Sequence, residues 1–134
     1  MSYATSKLAN VLFGLKLDRR LRAVGSPVRS LLTHPGMART DLSRDLPSLA
    51  RRVETVVLGP LRRPLDEAAA PMLFAATVPT APASRHIGPG RLFRRAEPTF
   101  APLRGVATDR RLAADLWIRS EDVTGVRPLP APQR

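Results

Sequence analysis

Tyr3-Ala4-Thr5-Ser6-Lys7-Leu8-Ala9-Asn10-Val11-Leu12 is the stretch whose reading sets the fold. Leu8, Val11, Leu12 and Leu15, then Leu21 or Arg22, recur at three- and four-residue spacing, while Lys16, Asp18, Arg19 and Arg20 fall off that stripe. The period predicts an amphipathic helix over residues 2–23. Gly25, followed by Ser26-Pro27, supplies its stop. In such a helix Tyr3 and Lys7 stand on one face, one turn (about 5.4 Å) apart. An ammonium beside a phenol favours the phenolate, so the pair suits proton transfer to or from a hydroxyl or carbonyl oxygen. By spacing alone the same two residues also read as an exposed helix start, with an aromatic ring resting on lysine methylenes.

Downstream of that helix, residues 28–33 form a short apolar and β-branched run closed by His34-Pro35-Gly36, which predicts a strand of a parallel sheet covered on both faces. Short helices are expected at 41–44 and 49–58, punctuated by Pro47, Gly59 and Pro60. A clear helix is expected over 65–77, with Pro64 at its start and Asp66 and Glu67 at its positive end. Pro71 should either kink that helix or begin it. Residues 79–107 are proline-rich and aperiodic, with a weak strand around His86-Ile87. A last helix is expected over 109–123, capped by Thr108, with Leu112, Ala113, Leu116, Trp117 and Val123 on its apolar face. Residues 127–134 carry three prolines in eight positions and read as a flexible tail. Two strands cannot make an independent sheet, so the order reads as the end of a βαβ array.

Composition narrows the function. The chain has 134 residues, 43% of them apolar and 4% aromatic, with no cysteine. A disulfide framework, a thiolate nucleophile and any Cys-ligated metal are thereby excluded. The formal charge of +11 invites a nucleic-acid reading. Yet arginine outnumbers lysine 20 to 2, and the basic residues come as scattered pairs: Arg19-Arg20, Arg51-Arg52, Arg62-Arg63, Arg94-Arg95 and Arg110-Arg111. Scattered pairs fit solvated helix faces, and no aromatic platform or reading helix accompanies them. The longest charge-free stretch, 68–84, is broken by Pro71, Pro79 and Pro82, so no membrane span is expected, and no secretory leader is read at Met1-Ser2-Tyr3. The expected location is cytoplasmic. His34 and His86 stand outside any carboxylate/His cluster and read as turn or surface residues, leaving no metal site. Ser6 has no paired base and reads as an ordinary helical serine. Trp117 reads as a core anchor.

The run Tyr3-Ala4-Thr5-Ser6-Lys7-Leu8-Ala9-Asn10 resembles the active-site helix of short-chain dehydrogenase/reductases, in particular the retinol-dehydrogenase-like branch. His34-Pro35-Gly36-Met37-Ala38-Arg39-Thr40 is similar to that family's segment after the sixth strand, and a helix over 112–121 followed by Thr124-Gly125-Val126 is similar to the way many members finish. The resemblance covers residues 2 to 126 and is weakest between 44 and 107. It implies the C-terminal half of a Rossmann-type, doubly wound parallel α/β sheet over residues 1–126, and NAD(P)-dependent interconversion of an alcohol and a ketone. Tyr3 would be the proton donor or acceptor, and Lys7 would hydrogen-bond the nicotinamide ribose. Pro35 and Gly36 would shape a turn against the nicotinamide. Ala38, through its main chain, and Thr40, through its hydroxyl, would contact the carboxamide or the pyrophosphate. Residues 41–64 would form a flap over a small-molecule alcohol or carbonyl substrate, with NAD or NADP as cofactor.

The departures from that pattern carry equal information. The eight glycines contain no G-x-G-x-x-G arrangement, and Gly88-Pro89-Gly90 is followed by Phe93 where a third glycine would be needed. The family's catalytic serine, expected about a dozen residues before the tyrosine, has no counterpart, because two residues precede Tyr3. The expectation is therefore an oxidoreductase fragment with negligible activity alone. The alternatives are a basic nucleic-acid-binding module, whose binding would fall steeply with salt, and a non-functional partial gene product.

Overall fold

The computed structural model describes residues 2–36, 64–90 and 97–129. Helix α1 (Tyr3–Ala23) is followed by strand β1 (Leu32–Thr33), helix α2 (Leu65–Thr77) and strands β2 (Arg85–Gly88) and β3 (Thr99–Pro102). A 3₁₀ turn (Gly105–Thr108) then leads into helix α3 (Arg110–Thr124). The strands form one sheet in the order β1-β2-β3, an α/β arrangement as expected. The short helices expected at 41–44 and 49–58 lie outside the described residues.

The chain divides into two compact units. One comprises Met1–Leu32, Thr80–His86 and Phe100–Arg134; the other comprises Thr33–Pro79 and Ile87–Thr99. In the first, α1 packs on α3. Ser2 caps α1, its hydroxyl accepting from the Thr5 N–H at 3.3 Å, and Gly25 ends it with φ +66°. Leu12, Leu21, Ala81, Ala113 and Trp117 are buried. The Phe13 ring stacks on Trp117 with centroids 4.9 Å apart, and the Arg20 guanidinium lies 4.8 Å over the indole. The indole N–H donates to Glu121 Oε1 at 2.6 Å. Such contacts add to area burial by about 0.5–1.5 kcal/mol for the stacked rings. Gly14 is buried because a Cβ there would lie 2.7 Å from Leu32 Cδ2, so its bare backbone lets the strand side chain close on the helix.

Several expectations are corrected. Asp18, placed off the apolar stripe, is 2% exposed. Its carboxylate pairs with Arg22 and accepts from the Ser30 N–H at 3.4 Å, which makes burial of the charge tolerable. The strand expected over 28–33 shrinks to Leu32–Thr33: the Ser30 N–H donates to the Asp18 carboxylate and not to a neighbouring strand, and the Arg29 guanidinium donates to the Ala81 carbonyl. The cap of α3 is Asp109, not Thr108: one carboxylate oxygen accepts from the N–H groups of Arg111 and Leu112 at 2.8 and 3.0 Å. Of the apolar face expected on α3, Ala113 and Trp117 are buried, whereas Leu112 is 40% and Val123 88% exposed. The Arg20 guanidinium also donates to the Leu129 carbonyl at 3.1 Å, tying the start of the C-terminal stretch to α1.

In the second unit, α2 begins after Pro64 and runs through Pro71 without restarting, with Ala68 and Pro71 buried. Burial of the proline ring offsets the ladder bond that it cannot make. Ile87, fully buried, is the largest aliphatic core residue on β2. Strand β3, which the aperiodic sequence left irregular, pairs with β2. Its first residue, Thr99, donates from Oγ1 toward the Gly88 and Pro89 carbonyls at 3.4 and 3.0 Å; in the first unit, Arg85, at the start of β2, donates to the Phe100 carbonyl. No helix among the described residues is long and apolar enough to cross a membrane.

Candidate active site

Ser2 caps α1, so Tyr3 is its first helical residue and Lys7 sits on the next turn. Helical periodicity therefore fixes the pair with no help from tertiary contacts. The Lys7 ammonium lies 5.3 Å from the centroid of the Tyr3 ring, within range of a cation–π attraction worth about 0.5–1 kcal/mol at an exposed site. Tyr3 is 65% exposed. Neither the phenol oxygen nor the ammonium has a hydrogen-bond partner among the described residues. Ser6, next on the helix, donates its hydroxyl to the Tyr3 carbonyl at 2.8 Å, a satisfied helical serine as expected.

The second group of predicted residues is built in the other unit. The His34 N–H donates to the Ile87 carbonyl at 2.9 Å, which anchors the end of β1 on β2. Pro35 and Gly36 then turn outward and are exposed. Gly36 has φ +69°, and a Cβ there would lie 2.8 Å from Pro89 Cγ, so both its backbone angle and the adjacent proline ring demand glycine. The Gly36 N–H donates to His34 Nδ1 at 3.2 Å, which leaves Nε2 to carry the proton of a neutral ring. Ala38 and Thr40 lie outside the described residues.

Gly88, which in sequence is only part of an incomplete glycine motif, has a structural part here. A Cβ on it would lie 2.1 Å from His34 Nε2, so the imidazole rests directly on a bare backbone. His34 is accordingly half-buried and acts as a spacer that holds the Pro35-Gly36 turn against the end of β2. Its position directly before Pro-Gly was the only local signal.

The groups present suit a nicotinamide cofactor in kind. In the first unit a phenol and an ammonium with no hydrogen-bond partner among the described residues share one helix face; in the second, taken by itself, a glycine turn presents exposed backbone. An exposed phenol can exchange a proton with a bound alcohol or carbonyl oxygen, and an exposed ammonium can donate to sugar hydroxyls.

No family model matches the chain. Among curated relatives, polyprenol dehydrogenase of Mus musculus is 34% identical over 124 residues, covering 92% of this chain and 35% of that protein. Retinol dehydrogenase 14 of Mus musculus is 33% identical over 128 residues, covering 92% of this chain and 35% of that protein. A short-chain dehydrogenase/reductase of Colletotrichum higginsianum is 46% identical over 44 residues, 33% of this chain and 11% of its own length. The chain thus spans about a third of the length of the first two. A crystal structure of an uncharacterized protein from Mycobacterium paratuberculosis superposes with a TM-score of 0.66 at 33% identity, over 96% of this chain and 40% of the other. Its likeness agrees with a partial Rossmann-like fold. On this sequence and structural evidence together, the chain belongs to the short-chain dehydrogenase/reductase family and corresponds to the C-terminal half of its members.

Proposed function

We propose that this chain supplies the proton-transfer half of an NAD(P)-dependent oxidoreductase that interconverts an alcohol and a ketone or aldehyde. The observation that carries the reading is the Tyr3/Lys7 pair, with the ammonium 5.3 Å from the ring centroid and neither polar end hydrogen-bonded among the described residues. Hydride acceptance and donation are the chemistry a bound nicotinamide supplies. In the oxidative direction the Tyr3 phenolate takes the hydroxyl proton as the carbinol carbon loses its hydride. In the reductive direction the Tyr3 hydroxyl returns a proton to the carbonyl oxygen. Lys7 places positive charge beside the phenolate and donates to a ribose hydroxyl. Pro35 and Gly36, together with Ala38 and Thr40, would contact the nicotinamide end of the cofactor. The names of the relatives, a polyprenol and a retinol dehydrogenase, favour a hydrophobic long-chain alcohol as substrate.

The 134 residues hold no glycine-rich phosphate turn, so turnover requires that half from elsewhere. The test joins this chain to the N-terminal two-thirds of mouse polyprenol dehydrogenase and assays chain and chimaera with NAD⁺ and NADP⁺ on retinol and a short polyprenol. The chimaera is expected to turn over and the chain alone is not. Tyr3→Phe should lower kcat by about 10²-fold or more with cofactor affinity kept, and Lys7→Met should weaken cofactor binding as well. A chimaera whose kcat is indifferent to Tyr3→Phe ends the assignment.

A further inference from the structure

Far from Tyr3, the last turns of α1 make a second polar site. Arg19 lies sixteen residues on, about 24 Å along the helix axis at 1.5 Å per residue. There a cleft of about 410 Å³ is lined by Asp18, Arg19 and Arg22 of α1, Arg110 at the start of α3, and Ser84 just before β2. All of these residues belong to the first unit. The sequence builds the site locally: Asp18 and Arg22 are one turn apart and form an ion pair, and Arg19 is the neighbour that turns toward the same opening. Arg110 comes to it because α3 packs on α1.

The charge balance of the cleft is lopsided. Asp18 is the one carboxylate among the described residues that line it, and it is already committed to Arg22 and to the Ser30 N–H. Arg19 and Arg110 have no hydrogen-bonding or ion-pair partner among the described residues. Three guanidiniums against one carboxylate leave a surplus of two positive charges. The strain of that crowding is visible at Arg19: burial, and then the guanidiniums of Arg110 and Arg22, push it below the ordinary arginine value, while Asp18 pulls the other way. Asp109, the nearest acid in sequence to Arg110, is occupied as the cap of α3. Ser84 adds a neutral hydroxyl donor at the rim.

We propose that this cleft is a binding site for a phosphate dianion, inorganic phosphate or a phosphomonoester. A phosphomonoester carries about 1.5 to 2 negative charges near neutral pH and three strong acceptor oxygens, which match the surplus charge and the planar donor forks of Arg19 and Arg110. The site is independent of the oxidoreductase reading.

The test is calorimetric titration of the full chain with inorganic phosphate and glycerol 3-phosphate at low and at about 0.15 M ionic strength. Saturable one-to-one binding is expected. Arg19→Gln and Arg110→Gln should each weaken it about tenfold, the loss typical of a hydrogen bond to a charged group. Arg119→Gln, which removes the same charge farther along α3, should leave it unchanged. Melting curves of each variant check folding, and Arg110, being exposed, can be removed without disturbing the core. Co-sedimentation with phosphatidylcholine vesicles, with and without phosphatidic acid, separates the two sources of phosphate. Capture that needs phosphatidic acid and both arginines assigns a lipid headgroup, and binding of the soluble phosphates alone assigns a free ligand. Absence of saturable binding in every arm, or equal weakening by Arg119→Gln, overturns the proposal.

Discussion

Gly88 stands where no side chain fits, because the His34 ring occupies the space a methyl group would need. Replacing it with alanine pushes the imidazole away and strains the hydrogen bonds that the His34 N–H and ring make with Ile87 and Gly36. Gly88→Ala should destabilise the protein by about 1–3 kcal/mol, the usual range for overpacking, as read from denaturant midpoints at constant m. Adding His34→Ala should return part of that loss, since neighbouring sites are not additive; a strictly additive double variant would show that the ring is not the obstacle. Contacts of this kind explain which neighbours among the candidate residues could be read from sequence. Tyr3 and Lys7 were legible because helical spacing alone makes them neighbours. The rest of the turn's construction was not, because positions 34 and 88 meet only through pairing of β1 with β2. Asp18 was misplaced for a related reason: a charged residue is assigned to solvent unless its partners are known, and Ser30 lies beyond the end of the helix.

The helices were the legible elements and the strands were not. α1, α2 and α3 each show a repeat of apolar positions or clear boundary residues long enough to outweigh local noise. β3 is four residues, all exposed, ending in Pro102, and no alternation can be read from so short a run. Boundaries were lost to side-chain competition at the start of α3. Thr108 and Asp109 are both good caps, but the Thr108 hydroxyl donates to the Gly105 carbonyl at 2.8 Å inside the 3₁₀ turn, which leaves Asp109 to accept from the helix. Asp109→Ala should therefore cost about 0.5–2 kcal/mol, and Thr108→Ala less than that. Circular dichroism melts of the two variants decide between them, and a larger loss at Thr108 would restore the original assignment.

Over the whole chain the dominant physical fact is a formal charge of +11, twenty-two Lys and Arg against eleven Asp and Glu. Like charges at this density repel in the folded state more than in the expanded one. Added chloride shortens the reach of that repulsion to about 10 Å at 0.1 M. Tm should consequently rise between about 0.01 M and 0.1 M sodium chloride, by on the order of 4 °C for each kcal/mol recovered. A Tm that falls with salt would mean that attractive pairs outweigh the surplus.

Trp117 is the chain's single indole, clasped between an aromatic ring and a guanidinium. Its ultraviolet emission therefore reports from inside the α1–α3 contact, dimming or brightening as the two helices part.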